Sequence, residues 1–220
     1  MKIANYNYFE PITIEEENPE TLIIENSVYF RKLIEDLLIQ SSTDIGAFVT
    51  SEKDEPLSFS KYVQVITDIY NFSENERTLK TKIQKLITNE FAYSDKQYNL
   101  IESLNQFGIL AANTVPYPVS FQTSLTLSDI VKILDFDIDY QYEKFWDKLI
   151  EFMKLEKELL NYKLFITINL KESISKEEYD QFIKDIQYRN IKLLMIEKHT
   201  HPDLDDLNHI RIVDNDLCVL

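Results

Sequence analysis

The sequence predicts an α/β fold, and three observations carry that reading. Residues 161–198 read as strand, capped helix and strand: an apolar run from Lys163 to Leu170, a helix opened by Ser175 and Glu178 and running to about Arg189, and a second run from Ile191 to Glu197. A crossover of that length fits a parallel pair with a right-handed connection. Apolar β runs gather at both ends of the chain and helical periodicity in its middle, which predicts a discontinuous α/β head, residues 1–68 and 161–220, holding a helical leg, residues 69–160. The third observation is that Gly46 and Gly108 are the only glycines, so no glycine-rich loop can close its backbone N–H groups on a phosphate. The outline is that of a nucleotide-handling α/β core without its phosphate machinery, which points to binding or assembly rather than to ATP chemistry.

The elements follow in order. Thr21 to Glu25 is a short β run, and Asn26 and Ser27 cap a helix reaching about Gln40, with Phe30, Leu33, Ile34, Leu37 and Leu38 at helical spacing. Ile45 to Thr50 and Tyr62 to Ile69 read as strands, separated by a charged loop with Pro56 at Ser51 to Ser60. Ser73 and Glu76 form a capping box for a helix to about Phe91, and Ser94 with Gln97 opens another that stops near Gly108. Pro116 and Pro118 mark a loop, and a short helix covers Ser128 to Leu134. Gln141 to Leu160 reads as one long helix with a broad apolar face, in which Phe145, Trp146 and Phe152 exceed what one subunit is expected to cover. Ile210 to Leu220 supplies the closing strand or strands, with Cys218 packed on an apolar stretch.

Composition narrows the function. A chain of 220 residues with 44% hydrophobic and 12% aromatic residues buries a sizeable core. Met1 to Pro11 has no signal-peptide pattern and no apolar run is long enough for a membrane span, so a cytoplasmic location is expected. A lone cysteine excludes an intrachain disulfide. The formal charge of −15 repels nucleic acid at long range, so any DNA site must be a local basic surface.

Such a surface is present on one helix. Arg77, Lys80, Lys82 and Lys85 occur with no acid among them, and on a helical wheel Arg77, Lys80 and Lys85 lie opposite Leu79, Ile83, Leu86 and Ile87. The plain alternative is a solvated helix face. His199 and His201, with Asp203, Asp205 and Asp206 behind them, resemble a metal-ligand set, and a metal-dependent nuclease or phosphatase would be built there. The competing reading is a polar loop after a buried strand. Asp135, Asp137 and Asp139 imitate the start of a calcium loop, but Tyr140 stands where the turn needs glycine and Trp146 where the bidentate glutamate belongs. An acidic scaffold that binds proteins and has no DNA affinity is the remaining alternative.

Several segments, taken in order, resemble the small accessory protein of type II-A CRISPR adaptation modules. They are Pro11-Ile12, Thr21 to Glu25, Tyr29 to Ile34, Ile66 to Ile69 with Phe72, Lys163 to Asn169, Ser175 to Glu178, and Leu193 to Glu197. The resemblance implies a P-loop-ATPase-like head lacking nucleotide motifs, an inserted helical leg, and a homotetrameric ring without enzymatic activity. It implies linear double-stranded DNA as a sequence-independent partner, threaded from its ends and held by lumen lysines. It further implies a part in spacer acquisition beside the adaptation integrase and the RNA-guided effector nuclease. Lys32, Lys132 and Lys148 fall where the family tends to carry lysine, and Lys80, Lys82, Lys85 and Arg77 add a richer basic stretch. Calcium-stabilised members carry an acidic cluster before the helix that starts near Ser128, where this chain has Ser120 to Ser124; Asp135, Asp137 and Asp139 are the displaced substitute, and no other cofactor is implied.

Overall fold

The computed structural model describes residues 1–71, 75–139 and 142–218. Within them the protein is mixed α/β, with two sheets and seven α-helices. The chain forms two compact units, Met1–Phe72 with Gln141–Leu220, and Ser73–Tyr140.

The first unit opens with β1 (Lys2–Asn5), β2 (Phe9–Thr13), β3 (Glu20–Ile24) and α1 (Ser27–Thr43), and continues through β4 (Val49–Glu52), β5 (Glu55–Leu57), α2 (Phe59–Tyr62) and β6 (Val63–Ile66). The second unit holds α3 (Glu76–Glu90), α4 (Asp95–Ala112) and α5 (Leu127–Leu134). The chain then returns to the first unit with α6 (Phe145–Leu155), β7 (Leu164–Ile168), α7 (Lys176–Tyr188), β8 (Leu193–Glu197) and β9 (Ile210–Val213).

Strands β6, β7, β8, β3 and β9 form one sheet in that order, and every pair in it is parallel. The expected strand–helix–strand unit at 161–198 is present, with Ile166 opposite Leu194. The central strands are largely apolar because both faces of a parallel sheet are covered; β8 is buried at every position and β7 at all but its last. The capping box predicted at Ser175 forms, Ser175 Oγ accepting from Glu178 N and Glu178 Oε2 from Ser175 N. Asn26 caps α1 by accepting from Val28 N and Tyr29 N, both at 3.1 Å.

The second sheet, β2-β1-β4-β5, is antiparallel and lies outside the sequence expectation. The segment read as a loop from Ser51 to Ser60 is a hairpin. Lys53 and Asp54 both take positive φ, 53° and 63°, the backbone of a two-residue primed turn, and Pro56 is tolerated because β5 is an edge strand. The strand expected from Ile45 starts at Val49 instead, since buried Gln40 clamps Phe48 by two hydrogen bonds of 2.8 Å and leaves no room for a side chain at Gly46. Likewise the strand expected from Tyr62 to Ile69 is confined to β6, preceded by the single turn of α2.

Three helix ends also differ. α4 runs through Gly108 to Ala112; the glycine serves close packing, since a Cβ there would stand 2.4 Å from the Phe121 ring. The long helix expected over 141–160 begins at Phe145 and closes in a π turn, Glu156–Leu160, ended by Asn161 in the left-handed region. It packs against α7 in the first unit, so Trp146 and Phe152 are buried within the subunit and are not the uncovered aromatics that the apolar face implied. The leg expected to end at 160 is shorter, because the second unit spans Ser73–Tyr140. The capping-box serine, Ser73, lies outside the described residues. Cys218 is exposed in a turn after β9, its N–H donating to Asp214, and is not packed on an apolar strand.

An ion cluster ties the two sheets together. Glu52 of β4 accepts from Lys163 at 2.6 Å and Lys192 at 3.0 Å, and these two ammonium groups hold its carboxyl down at about 2. A carboxyl depressed in the folded state stabilises above its unfolded value and loses that contribution as pH falls from the ordinary carboxylate range toward 2. Glu52→Gln is expected to cost about 1.5–3 kcal/mol at neutral pH. Urea unfolding of both proteins from pH 7 to pH 3 checks this, with the gap between them closing as the solution is acidified.

Candidate nucleic-acid interface

The second unit brings two of the predicted lysines into one cleft. In α3 the residues Thr81, Gln84, Lys85 and Thr88 recur at helical spacing and form one wall; Ser128, Val131 and Lys132 of α5 form the other. α5 is set in place by a capping box, in which Thr126 Oγ1 accepts from Asp129 N and Asp129 Oδ2 from Thr126 N; the Thr126 hydroxyl, which also donates to Asp129 Oδ2, and then the Thr126 N–H hold the Asp129 carboxyl below the usual range. The cleft has a volume of about 160 Å³, and no carboxylate lines it. Lys85 and Lys132 form no ion pair with a carboxylate among the described residues. Two exposed ammonium groups beside hydroxyl and amide groups are suited to the oxygens of a phosphate.

The other candidates are placed differently. Arg77 and Lys82 are exposed on α3, Arg77 one turn before Thr81 on the cleft-lining face. Lys80 is taken up internally. Its ammonium lies 3.0 Å from Asp135 and 3.5 Å from Asp137, and these carboxylates raise its pKa. The two aspartates expected to hold calcium therefore hold a lysine, Asp139 is not gathered with them, and no group of three acidic, histidine or cysteine side chains able to hold a metal occurs among the described residues. The donor set does not fit calcium. Lys32, exposed on α1, and Lys148, half-buried on α6, belong to the first unit.

The histidine segment does not assemble a metal centre either. His199 is exposed, and Asp205, a ligand in the pattern the sequence offered, accepts from His201 N at 2.7 Å and from Lys171 Nζ at 2.6 Å. Asp206 is turned onto Asn208, and His209 Nδ1 sits 2.9 Å from Glu20. Buried Lys171 and Glu197, which anchor this region, do not stand out in the sequence. The available signal is a charged residue closing the apolar run of β8.

The carboxyl ends of β3 and β8, where open α/β folds receive ligands, are spanned by the protein's own groups. Lys198 Nζ donates to Glu25 O, Lys198 N donates to Asn169 Oδ1 at 3.0 Å, and Asn26 Nδ2 donates to Asn215 O at 3.1 Å. Asn26 also occupies the first free N–H groups of α1, which a phosphate would need.

No helix among the described residues is long and apolar enough to cross a membrane. No curated protein matches the sequence. The family model of CRISPR-associated protein (Cas_Csn2) matches residues 40–217, a span that contains the α3–α5 cleft, the parallel strands β6 to β9 and well over half of the chain. The resembling segments from Ile66 to Glu197 lie within that span, and the chain belongs to the Cas_Csn2 family of CRISPR-associated proteins.

Proposed function

We propose that this CRISPR-associated protein is a non-enzymatic, ring-forming accessory that binds the ends of linear double-stranded DNA during spacer acquisition, working beside the adaptation integrase and the RNA-guided effector nuclease. The observation that carries the reading is the cleft between α3 and α5, where Lys85 and Lys132 converge without a carboxylate among the lining residues of a chain whose formal charge is −15. Backbone contacts of this kind hold DNA without reading its sequence. A closed ring repeats them in every subunit, so few lysines per chain suffice.

The helix α4 supports assembly. None of its residues is buried, and Phe107 and Leu110 are 70% and 68% exposed, an apolar surface that a homotetramer would cover. A head related to the P-loop ATPases, with its phosphate site given up, agrees with the all-parallel sheet and with Asn26 and Lys198 at the site where phosphate would bind. The reading needs no calcium, because Lys80 pairs with both Asp135 and Asp137 and offsets one of their two charges.

The test measures native mass together with retention of linear and closed circular duplexes of equal length. A homotetramer that retains linear DNA and releases circles is the expected result. A monomer of 26.1 kDa at all concentrations, or equal retention of circles, overturns the reading.

A further inference from the structure

Among the described residues nine other than glycine take positive φ, and six of them are Asp or Asn, whose short polar side chains tolerate the left-handed region. Tyr93 is the aromatic one, at φ 61° in the turn between α3 and α4, a backbone that glycine adopts without the strain. The ring so placed is not used inside the protein. It is 86% exposed, and although an apolar cleft of about 220 Å³ opens next to the turn, lined by Phe91, Leu100, Ile130, Leu134 and Phe136, Tyr93 takes no part in it. Nor is the turn loose. Ala92 N donates to Asn89 O at 3.2 Å, Tyr93 N to Gln97 Oε1 at 2.8 Å and Ser94 N to Phe91 O at 3.2 Å, while Ser94 Oγ donates to the same carbonyl at 2.7 Å. An aromatic ring displayed from a fixed backbone loses little conformational freedom when a partner covers it.

We propose that Tyr93 stacks on the outer face of the terminal base pair of a DNA duplex, a contact that rests on the DNA reading above and supplies what a grip on phosphates lacks. Phosphates recur along the whole duplex, so contacts to them at Lys85 and Lys132 are the same at its end and in its interior. Only the end presents the open π face of a base pair, and an aromatic ring stacks on that face whatever the base.

The placement serves both contacts at once. Lys85 precedes Glu90, the last residue of α3, by about 8 Å of helix, and Tyr93 follows just beyond that end. Phosphates of one strand are about 3.4 Å apart, so a duplex lying along α3 with its end pair at Tyr93 brings phosphates a few steps inside that end level with Lys85. Exposed Glu90 and Asp95 flank the turn and repel backbone phosphate from it, which leaves the uncharged face of the end pair as the part of the duplex that the ring meets.

The experiment titrates the full chain into short blunt duplexes that carry 2-aminopurine either in the terminal pair or in the middle, at several salt concentrations. In the wild type the emission of the terminal probe should change on binding and that of the central probe should stay level. Tyr93→Gly suits the left-handed backbone better than tyrosine and so keeps the fold. It should abolish the terminal signal and weaken binding by roughly fivefold or more. The slope of log affinity against log salt should not change, because stacking releases no counterions. Tyr93→Phe should keep both the signal and the affinity. A terminal signal or an affinity that survives in Tyr93→Gly, or an equal signal from the central probe in the wild type, overturns the stacking contact and leaves the lysine cleft as the DNA site. Failure of the wild type to bind any duplex overturns the DNA reading and this contact with it.

Discussion

Lys85→Ala/Lys132→Ala is expected to weaken binding of linear duplex DNA by roughly tenfold for each phosphate no longer neutralised at 0.1 M salt, and to flatten the slope of log affinity against log salt by about one per phosphate. The two ammonium groups line one cleft and form no ion pair with a carboxylate among the described residues, Lys132 acting only at longer range on Asp129, so their charge is available to phosphate. In a closed ring both substitutions act in every subunit, and the effect multiplies. Lys80→Ala is the informative control: its ammonium already serves Asp135 and Asp137, so its removal should change the salt slope much less. Binding titrations at several salt concentrations, with two duplexes of unrelated sequence, measure all of this. Unchanged affinity and slope in the double variant would exclude the cleft as the DNA contact, whereas a weakening confined to one sequence would contradict a backbone-only grip.

The largest loss of stability is expected from Lys171→Met. The Lys171 and Asp205 side chains are 1% and 6% exposed and 2.6 Å apart, so removing the ammonium leaves a carboxylate buried without its counter-charge. Breaking one side of such a pair costs about 3–5 kcal/mol. The same change takes a favourable charge from beside Glu197, which raises the cost of ionising that residue further. Lys171→Met/Asp205→Leu should recover part of the stability, since an apolar pair of similar volume removes the uncompensated charge. Denaturant unfolding of the two variants decides the matter; a single variant within about 1 kcal/mol of the wild type, roughly the error of such a measurement, would mean that water reaches Asp205.

Features that depend on neighbours a few residues apart are legible in the amino-acid order. The apolar runs of β3, β7 and β8, the Ser175 and Glu178 capping box, the Asn26 cap, and the missing glycine loop are all local, because strand and helix periodicity and end capping involve residues within about four positions. The segments from Ile66 to Glu197 also fall within the span that the family model matches, since a family is a pattern along the chain. Which charges remain free is settled only when the chain is folded. Arg77, Lys80, Lys82 and Lys85 are equivalent as letters, yet Lys80 is neutralised across the unit by Asp135 while Lys85 meets Lys132. The antiparallel sheet is equally hidden, because Lys2 finds its partner at Ser51, and so is the Lys171–Asp205 pair. In each case the partners are far apart in sequence, and what brings them together is the burial of the whole core, which no local spacing records.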